Sequence, residues 1–449
     1  MIEKSENVRT QSAIIFASVT ILCSFLSLCY AITLNLDFLI FSSCILFIGA
    51  FIASVHISNP LSIYPLFLAI SFLFLYSRVF LDLVTPNYDF GYCTLFTREI
   101  LSVEIKEKIL WMITVTIFFP TVFFIAKYKK NRPEFSFNHS HSLFQAGLFI
   151  LFLVSPIVIY NLISDALYIF QNGYLAIFNG DMYENSGAIY GNVFNRLAIF
   201  AFYCLFASRL NQKQFRYVAL AYLILAILVS LKGQRGELFL SILFILWYQY
   251  AVFNQKFDYT KLIFIGLILV FAGQYFLFAR SGYYFDFYEA PFQFLHLNGA
   301  SICVTGHLLN SPELLNPSGV PYLFSPIVDF FQRMFLDSSV YYSGPTDERL
   351  DASNYLGWHL TNFISPEAYF QGHGTGTSFL AEFYSLGGIY GVGILTVVFT
   401  WIALKIEENI RKKRWVLFIA PIILFGFVYM GRGSMIKTID DLIPYGSCF

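Results

Sequence analysis

Long apolar runs alternate with short polar stretches along the whole chain. A bilayer-crossing helix needs roughly 20 mainly apolar residues. Eleven segments meet or approach that length, at about 11–32, 38–56, 60–80, 109–127, 143–163, 194–209, 217–231, 238–253, 262–279, 378–404 and 416–431. The first lacks a small-x-small cleavage site and is read as a retained anchor rather than a signal peptide. Within the last long polar interval, SPIVDFFQRMFLD (Ser325 to Asp337) sets Ile327, Val328, Phe331, Met334 and Phe335 on one side at helical spacing, and Asp329, Gln332, Arg333 and Asp337 on the other. Such a segment can lie flat on a bilayer surface or pack against helix ends.

Composition agrees with the pattern. Hydrophobic residues make up 57% of the 449 positions and charged ones 12%, and the mean hydropathy is +0.64, far from the range of soluble domains. The expected fold is an all-α polytopic membrane protein of about 11 transmembrane helices. Residues 1–449 are expected to form a single membrane domain, with a large external loop over 280–377 folded across it. Of the seven cysteines, Cys23, Cys29, Cys44 and Cys204 fall inside predicted helices as small apolar side chains. Cys93 and Cys303 can pair on the outer side, and Cys448 near the terminus carries no signal.

The 28 basic and 28 acidic side chains cancel, yet they are unevenly placed. With the N-terminus cytoplasmic, KYKKNR at 127–132, RKKR at 411–414 and their neighbours put sixteen of the 28 Lys and Arg in short inner segments, as the positive-inside rule expects. These runs are orientation signals, not nucleic-acid patches. The external loop is acidic, with nine carboxylates against three arginines.

Six cations stand against this trend at outer helix ends: Arg78, Arg196, Lys232, Arg235, Arg280 and Arg432. Snorkelling accounts for a single arginine at such a place. SLKGQRGELFLS (Ser230 to Ser241) is harder to dismiss, because its flanking runs of 15 or 16 residues span roughly 24 Å, short of a hydrocarbon core of about 30 Å. The turn would then sit below the headgroups, with Gly233 and Gly236 admitting close backbone approach and Glu237 suited to the positive end of the next helix. Guanidinium groups beside lipid suit an anionic headgroup on a lipid tail, since the planar fork grips phosphate oxygens in pairs.

FQGHGTGTSFLAEFYSLGGIYGVG (Phe370 to Gly393) sets His373 among glycines before the tenth apolar run and Glu382 about one turn inside it. His373 is either a solvent residue or a general base toward a sugar hydroxyl, because imidazole titrates near neutrality. Glu382 in apolar surroundings requires a partner, either an arginine or the sugar. His296, His307 and His359 show no zinc spacing, and neither GxSxG, a P-loop nor a dinucleotide fingerprint is present. No metal and no cofactor is expected.

On these residues the chain resembles the bacterial O-antigen polymerases, the Wzy-type oligosaccharide repeat unit polymerases, and more distantly the O-antigen ligases. GQRGE resembles the family's Arg-containing mid-chain turn, and FARSGYY (278–284) the Arg that opens the large periplasmic loop. SPIVDFFQRMF and DASNYLGWHL (351–360) resemble loop segments of the enterobacterial common antigen polymerase. GHGTGTSFLAEFYSLGGIYGVG resembles the loop's return to the membrane, and GRGSM (431–435) the Arg-containing turn after the penultimate helix. The resemblance implies a GT-C-like, metal-independent membrane glycosyltransferase of the inner membrane that joins undecaprenyl-diphosphate-linked oligosaccharide repeats on the periplasmic face. A chain-length regulator would be a further partner.

It assigns catalytic roles to His373, Arg235 and Arg280 and diphosphate binding to Arg235, Arg280 and Arg432. Lys232 and Arg78 join the binding set by position, and Arg196, Glu382 and Arg333 are further candidates. The polar ending SMIKTIDDLIPYGSCF departs from the family, whose members finish with another helix; the terminus is expected to be external, or the final helix to be missing. The alternatives are glycan transfer to a lipid A core, as in the ligases, and a polysaccharide flippase. A flippase would place its charges on broken helices at mid-membrane.

Overall fold

The computed structural model describes the chain apart from residues 1, 86–87, 94–95, 129–133, 173–187, 233–234, 256, 258, 282–286, 316–318, 336–344 and 435–449. Gly233, Asp337, Cys448 and the polar ending beyond Ser434 therefore lie outside the described residues. So do the side chains of Arg235, Arg280 and Arg333, whose backbone is helical.

Helix makes up 81% of the structure, as lipid demands of a chain whose backbone groups find no water to bond. The helices are α1 (Ile2–Thr33), α2 (Leu36–Ile57), α3 (Ile63–Ser71), α4 (Ser77–Val84), α5 (Val103–Lys127), α6 (His141–Asn172), α7 (Ala188–Ala207), α8 (Gln212–Leu231), α9 (Arg235–Phe253) and α10 (Tyr259–Ser281). Then come α11 (Ala290–Asn298), α12 (Ser301–Asn310), α13 (Ser325–Phe335), α14 (Asp347–Ala352), α15 (Leu356–Ile364), α16 (Pro366–Phe370), α17 (Phe379–Asn409) and α18 (Arg414–Tyr429). A π-helical turn, Phe72–Tyr76, joins α3 to α4. Tyr92–Cys93 (β1) and Glu99–Ile100 (β2) pair antiparallel.

Among the described residues eight helices are long and apolar enough to cross a membrane: α1, α2, α3 with α4, α5, α6, α8, α9 and α17. Three shorter apolar helices, Val193–Ala207, Phe264–Tyr275 and Arg414–Tyr429, coincide with the other three predicted segments. The protein is an all-α, multi-pass membrane protein.

Two interleaved compact units emerge. The first comprises Met1–Lys130, Asn254–Leu315 and Thr377–Lys405. Its helices are joined by polar side chains that bond across apolar seams, the pattern expected where lipid offers no hydrophobic drive to association. Ser42 and Cys23 exchange bonds between α2 and α1 at 3.1 and 3.3 Å. Ser43 meets Thr114 at 3.2 Å, Tyr64 meets Thr121 at 2.7 Å, and the Tyr76 hydroxyl donates to the Ile113 carbonyl at 2.8 Å.

One predicted helix differs from expectation. Within α17 the backbone breaks at Gly387 and Gly388, the latter at φ +59°. Phe383 nevertheless stacks on Phe399 at 5.3 Å, whereas sixteen residues of straight helix would hold them about 24 Å apart. The segment 379–386 therefore turns back along the long helix, and Glu382 sits on this short returning arm rather than one turn inside a continuous span.

The second unit comprises Asn131–Phe253, Asn316–Gly376 and Ile406–Phe449. Its α6 has one packed face, where Val154, Val158 and Leu162 are each 1% exposed against α7 and α8, and one outward face, where Phe152 is 82% exposed. At the end bearing the basic run 411–414, arginines bond backbone carbonyls. Arg209 donates to Phe137 O at 2.6 Å, Arg411 to Ala251 O at 2.8 Å, and Arg414 to Asn138 O at 2.8 Å.

In the same unit α13 forms where expected, but its sides are not sorted as its pattern suggested. Asp329 is buried, accepting from the Asn354 amide at 3.0 Å and the Ser353 hydroxyl at 3.3 Å, while Phe331 is 51% exposed. The carboxylate serves as an internal tie between loop segments, so burial follows hydrogen bonding rather than polarity.

Candidate functional site

Three motif turns meet in the second unit. α9 begins at Arg235, with only three residues between it and the end of α8 at Leu231. Its second residue, Gly236, lies so close to the Tyr429 ring that a methyl group there would be 3.4 Å from Cε2. Tyr429 is the last residue of α18, and its carbonyl accepts the amides of Arg432 at 2.9 Å and Gly433 at 2.8 Å. A methyl group on Gly433 would come within 2.7 Å of the same ring. The GRG turn is thus wound tightly over Tyr429, leaving the Arg432 side chain exposed.

The glycine loop closes the group. Gly376 has φ +72°, and a Cβ added there would be 3.0 Å from the Arg432 carbonyl oxygen. Glycine fits both the left-handed backbone and the close approach. The loop is clamped to α15, where the Thr361 hydroxyl accepts the Thr375 amide at 2.8 Å and the Thr375 hydroxyl donates to Gly357 O at 3.2 Å. The His373 amide donates to Ala368 O at 2.9 Å, turning the chain after α16. His373 is half-buried. Arg235, His373 and Arg432 are therefore borne on segments packed around Tyr429 and Gly376.

Lys232 is differently disposed. Its ammonium bonds Asp165 of α6 at 2.6 Å, with side-chain exposures of 15% and 18%, so its charge is already compensated. Arg196 lies half-buried on α7, two residues before Ala198 of the α6–α8 seam. Glu237 occupies the first turn of α9, as its position at a helix N-terminus suggested.

In the first unit, Arg78 is 1% exposed. Its guanidinium donates to His296 O at 2.8 Å, Tyr92 O at 2.9 Å and Cys303 Sγ at 3.0 Å. Cys303 forms a disulfide with Cys93, with Cα atoms 5.5 Å apart. The turn between α11 and α12 is pressed onto the same place, because a Cβ on Gly299 would lie 2.5 Å from Ser77 Oγ. Arg78 thus fastens α11 and α12 to α4 rather than opening toward a ligand. Beside it, burial first and the Arg78 charge second hold His296 down at about 4. Burial also lowers His307, against the pull of Glu99 at 3.5 Å.

Glu382, fully buried, and the backbone of Arg280, near the end of α10, belong to the first unit as well. Arg333 lies on α13 of the second. Among the described residues no three His, Cys, Asp or Glu side chains group as metal ligands.

Sequence inspection passed over Tyr429 and the Thr361–Thr375 clamp, which carry no signal of their own. It also passed over Asp165, although an acid inside the apolar stretch NLISDALYIF is itself a sign of a partner.

The family model described as O-antigen polysaccharide polymerase Wzy matches residues 13–449. Neither a curated protein nor a solved structure matches the chain.

Proposed function

Because the chain belongs to the O-antigen polysaccharide polymerase Wzy family, we propose that the turns gathered on Tyr429 form the site at which it joins its lipid-linked repeat units. The family match over nearly the whole chain carries the activity, a polymerising glycosyl transfer within the membrane. The meeting of Gly236, Tyr429, Gly376 and the Arg432 carbonyl supports the location.

In the proposed reaction the hydroxyl oxygen of an acceptor sugar attacks the anomeric carbon of the donor glycan. The anomeric C–O bond breaks with its electron pair going to the diphosphate of an undecaprenyl carrier, and the hydroxyl proton passes to His373. Negative charge grows on the leaving diphosphate, so fixed guanidinium groups stabilise the transition state more than the ground state. Arg235 and Arg432 take that role in the second unit. Neither nucleotide nor metal is needed, because the donor is already activated. Lys232 and Arg78 stand outside the diphosphate contacts, being committed to Asp165 and to α11 and α12 respectively.

The disulfide between Cys93 and Cys303 favours an oxidising compartment for this end of the helices. Lys127 closes the other end of α5, which supports an inner-membrane protein with a cytoplasmic N-terminus; the eleven spans rest on the apolar segments, and the GT-C-like plan and periplasmic site on the resemblance.

Purified protein incubated with defined undecaprenyl-diphosphate repeats tests the assignment. Removing one such donor costs about 10²–10³ in kcat, so Arg235→Ala is expected to abolish chain extension while the protein remains inserted and abundant. Arg235→Lys restores only part, since a point charge lacks the fork. Polymer of normal length from Arg235→Ala would refute the role.

A further inference from the structure

The half-buried pair of Asp165 and Lys232 has no part in the reaction just described, although Lys232 lies three residues from Arg235. On α6 the residues Val154, Val158, Leu162 and Asp165 follow one another at spacings of four, four and three, along one face. On α8 Leu225, Val229 and Lys232 do the same. Val154, Val158 and Leu162 form the buried seam with Ala198 of α7, and Leu225, Leu228 and Val229 pack against it. The ion pair therefore caps an apolar seam at its outer end, at 2.6 Å and with both side chains less than one fifth exposed. A leucine pair would pack there without desolvating two charges. A buried ion pair is poor evidence for stability, and fixing a particular geometry is its better-attested use.

That geometry leads directly to the turn. Lys232 is the C-cap of α8, its amide bonding Ser230 O and Val229 O, where a cation also suits the helix end. Three residues later α9 begins at Arg235, and a methyl group on Gly236 would touch the Tyr429 ring. The start of α9 is thus held from one side by Asp165 through Lys232 and from the other by Tyr429.

We propose that Asp165 is a positioning residue: by holding Lys232 it fixes the turn from which Arg235 meets the diphosphate of the lipid-linked donor, and it withdraws Lys232 from that diphosphate. This rests on the site assigned above and adds a residue to it.

A charge exchange tests it. Asp165→Lys alone and Lys232→Asp alone place like charges face to face. Each is expected to lower kcat for chain extension at least tenfold, with KM for the lipid-linked repeat moved less than threefold and with normal amounts of inserted protein. The double variant Asp165→Lys/Lys232→Asp restores the pair in reverse and is expected to recover extension to within about threefold of the unaltered protein. A double variant as inactive as Lys232→Asp would overturn the proposal, showing that the lysine itself acts on substrate; so would full activity in Asp165→Lys alone. Asp165→Asn, which keeps the shape, reports on charge if both exchanged single variants fail to accumulate: a kcat unchanged from the unaltered protein sinks the proposal, and a reduced one supports it. Failure of the unaltered protein to extend the repeats would bring down the site assignment together with this inference, whereas an active protein with an inactive exchange overturns the inference alone.

Discussion

Replacing Cys303 with serine removes a covalent tie between β1 and α12, positions separated by 210 residues. In the chain-entropy account a loop of that length corresponds to about 5 kcal/mol at 25 °C. That is an upper value here, because the intervening apolar helices stay inserted when tertiary contacts are lost, and the bilayer already confines the ends. Arg78 also ties this region together, bonding Tyr92 O on β1 and His296 O on α11, the helix that precedes α12. Cys303→Ser is therefore expected to destabilise the part of the first unit around β1, α11 and α12 by about 2–4 kcal/mol without preventing insertion. Adding Arg78→Ala should cost more than the sum of the two single changes, since they share one junction.

The direct assay is a maleimide mass tag applied after denaturation in detergent. Among the described cysteines Cys93 and Cys303 are paired and Cys23, Cys29, Cys44 and Cys204 are free, so reductant is expected to add two tags to the unaltered protein and none to Cys303→Ser. Seven tags on unreduced native protein would refute the pairing, and with it the support for an oxidising compartment at that face.

Three further outcomes follow from the geometry. Gly376→Ala places a Cβ in left-handed backbone 3.0 Å from Arg432 O, a strain of about 1–2 kcal/mol; gel profiles should show shorter glycans at unchanged protein abundance, and a normal profile would argue against the loop's role. Acidification should loosen the same region around α11 and α12. Burial holds His296 down at about 4 and also lowers His307, so the unfolded chain binds more protons below an ordinary histidine value near 6.5; stability is complete above that pH and falls as pH drops toward 4. A melting temperature in detergent that is flat from pH 7 to pH 4.5 would contradict this. Arg78→Ala strips donors from two carbonyls and a sulfur, and it should reduce folded protein recovered from membranes rather than raise KM.

Each apolar run was legible because its partition into lipid depends on its own composition, summed over about 20 neighbouring residues. The eleven segments, the basic runs and the short turn before Arg235 are all properties of local windows, as is the acid in the first turn of α9. Neighbouring glycines at 387 and 388 were visible too, but the fold-back of Phe383 onto Phe399 depends on what the arm packs against. Among contacts between distant windows, the sequence offered the pairing of Cys93 with Cys303, but not Arg78 with His296, Lys232 with Asp165, or Gly376 with Arg432. Six cations at outer helix ends looked equivalent in sequence, since a charge has the same label whether it faces a carbonyl, a carboxylate or a ligand. Insertion into lipid is decided segment by segment, whereas the partner of a buried charge is decided only when helices choose their neighbours. That choice separated Arg78 and Lys232, bound within the protein, from Arg432, left exposed beside the glycine loop.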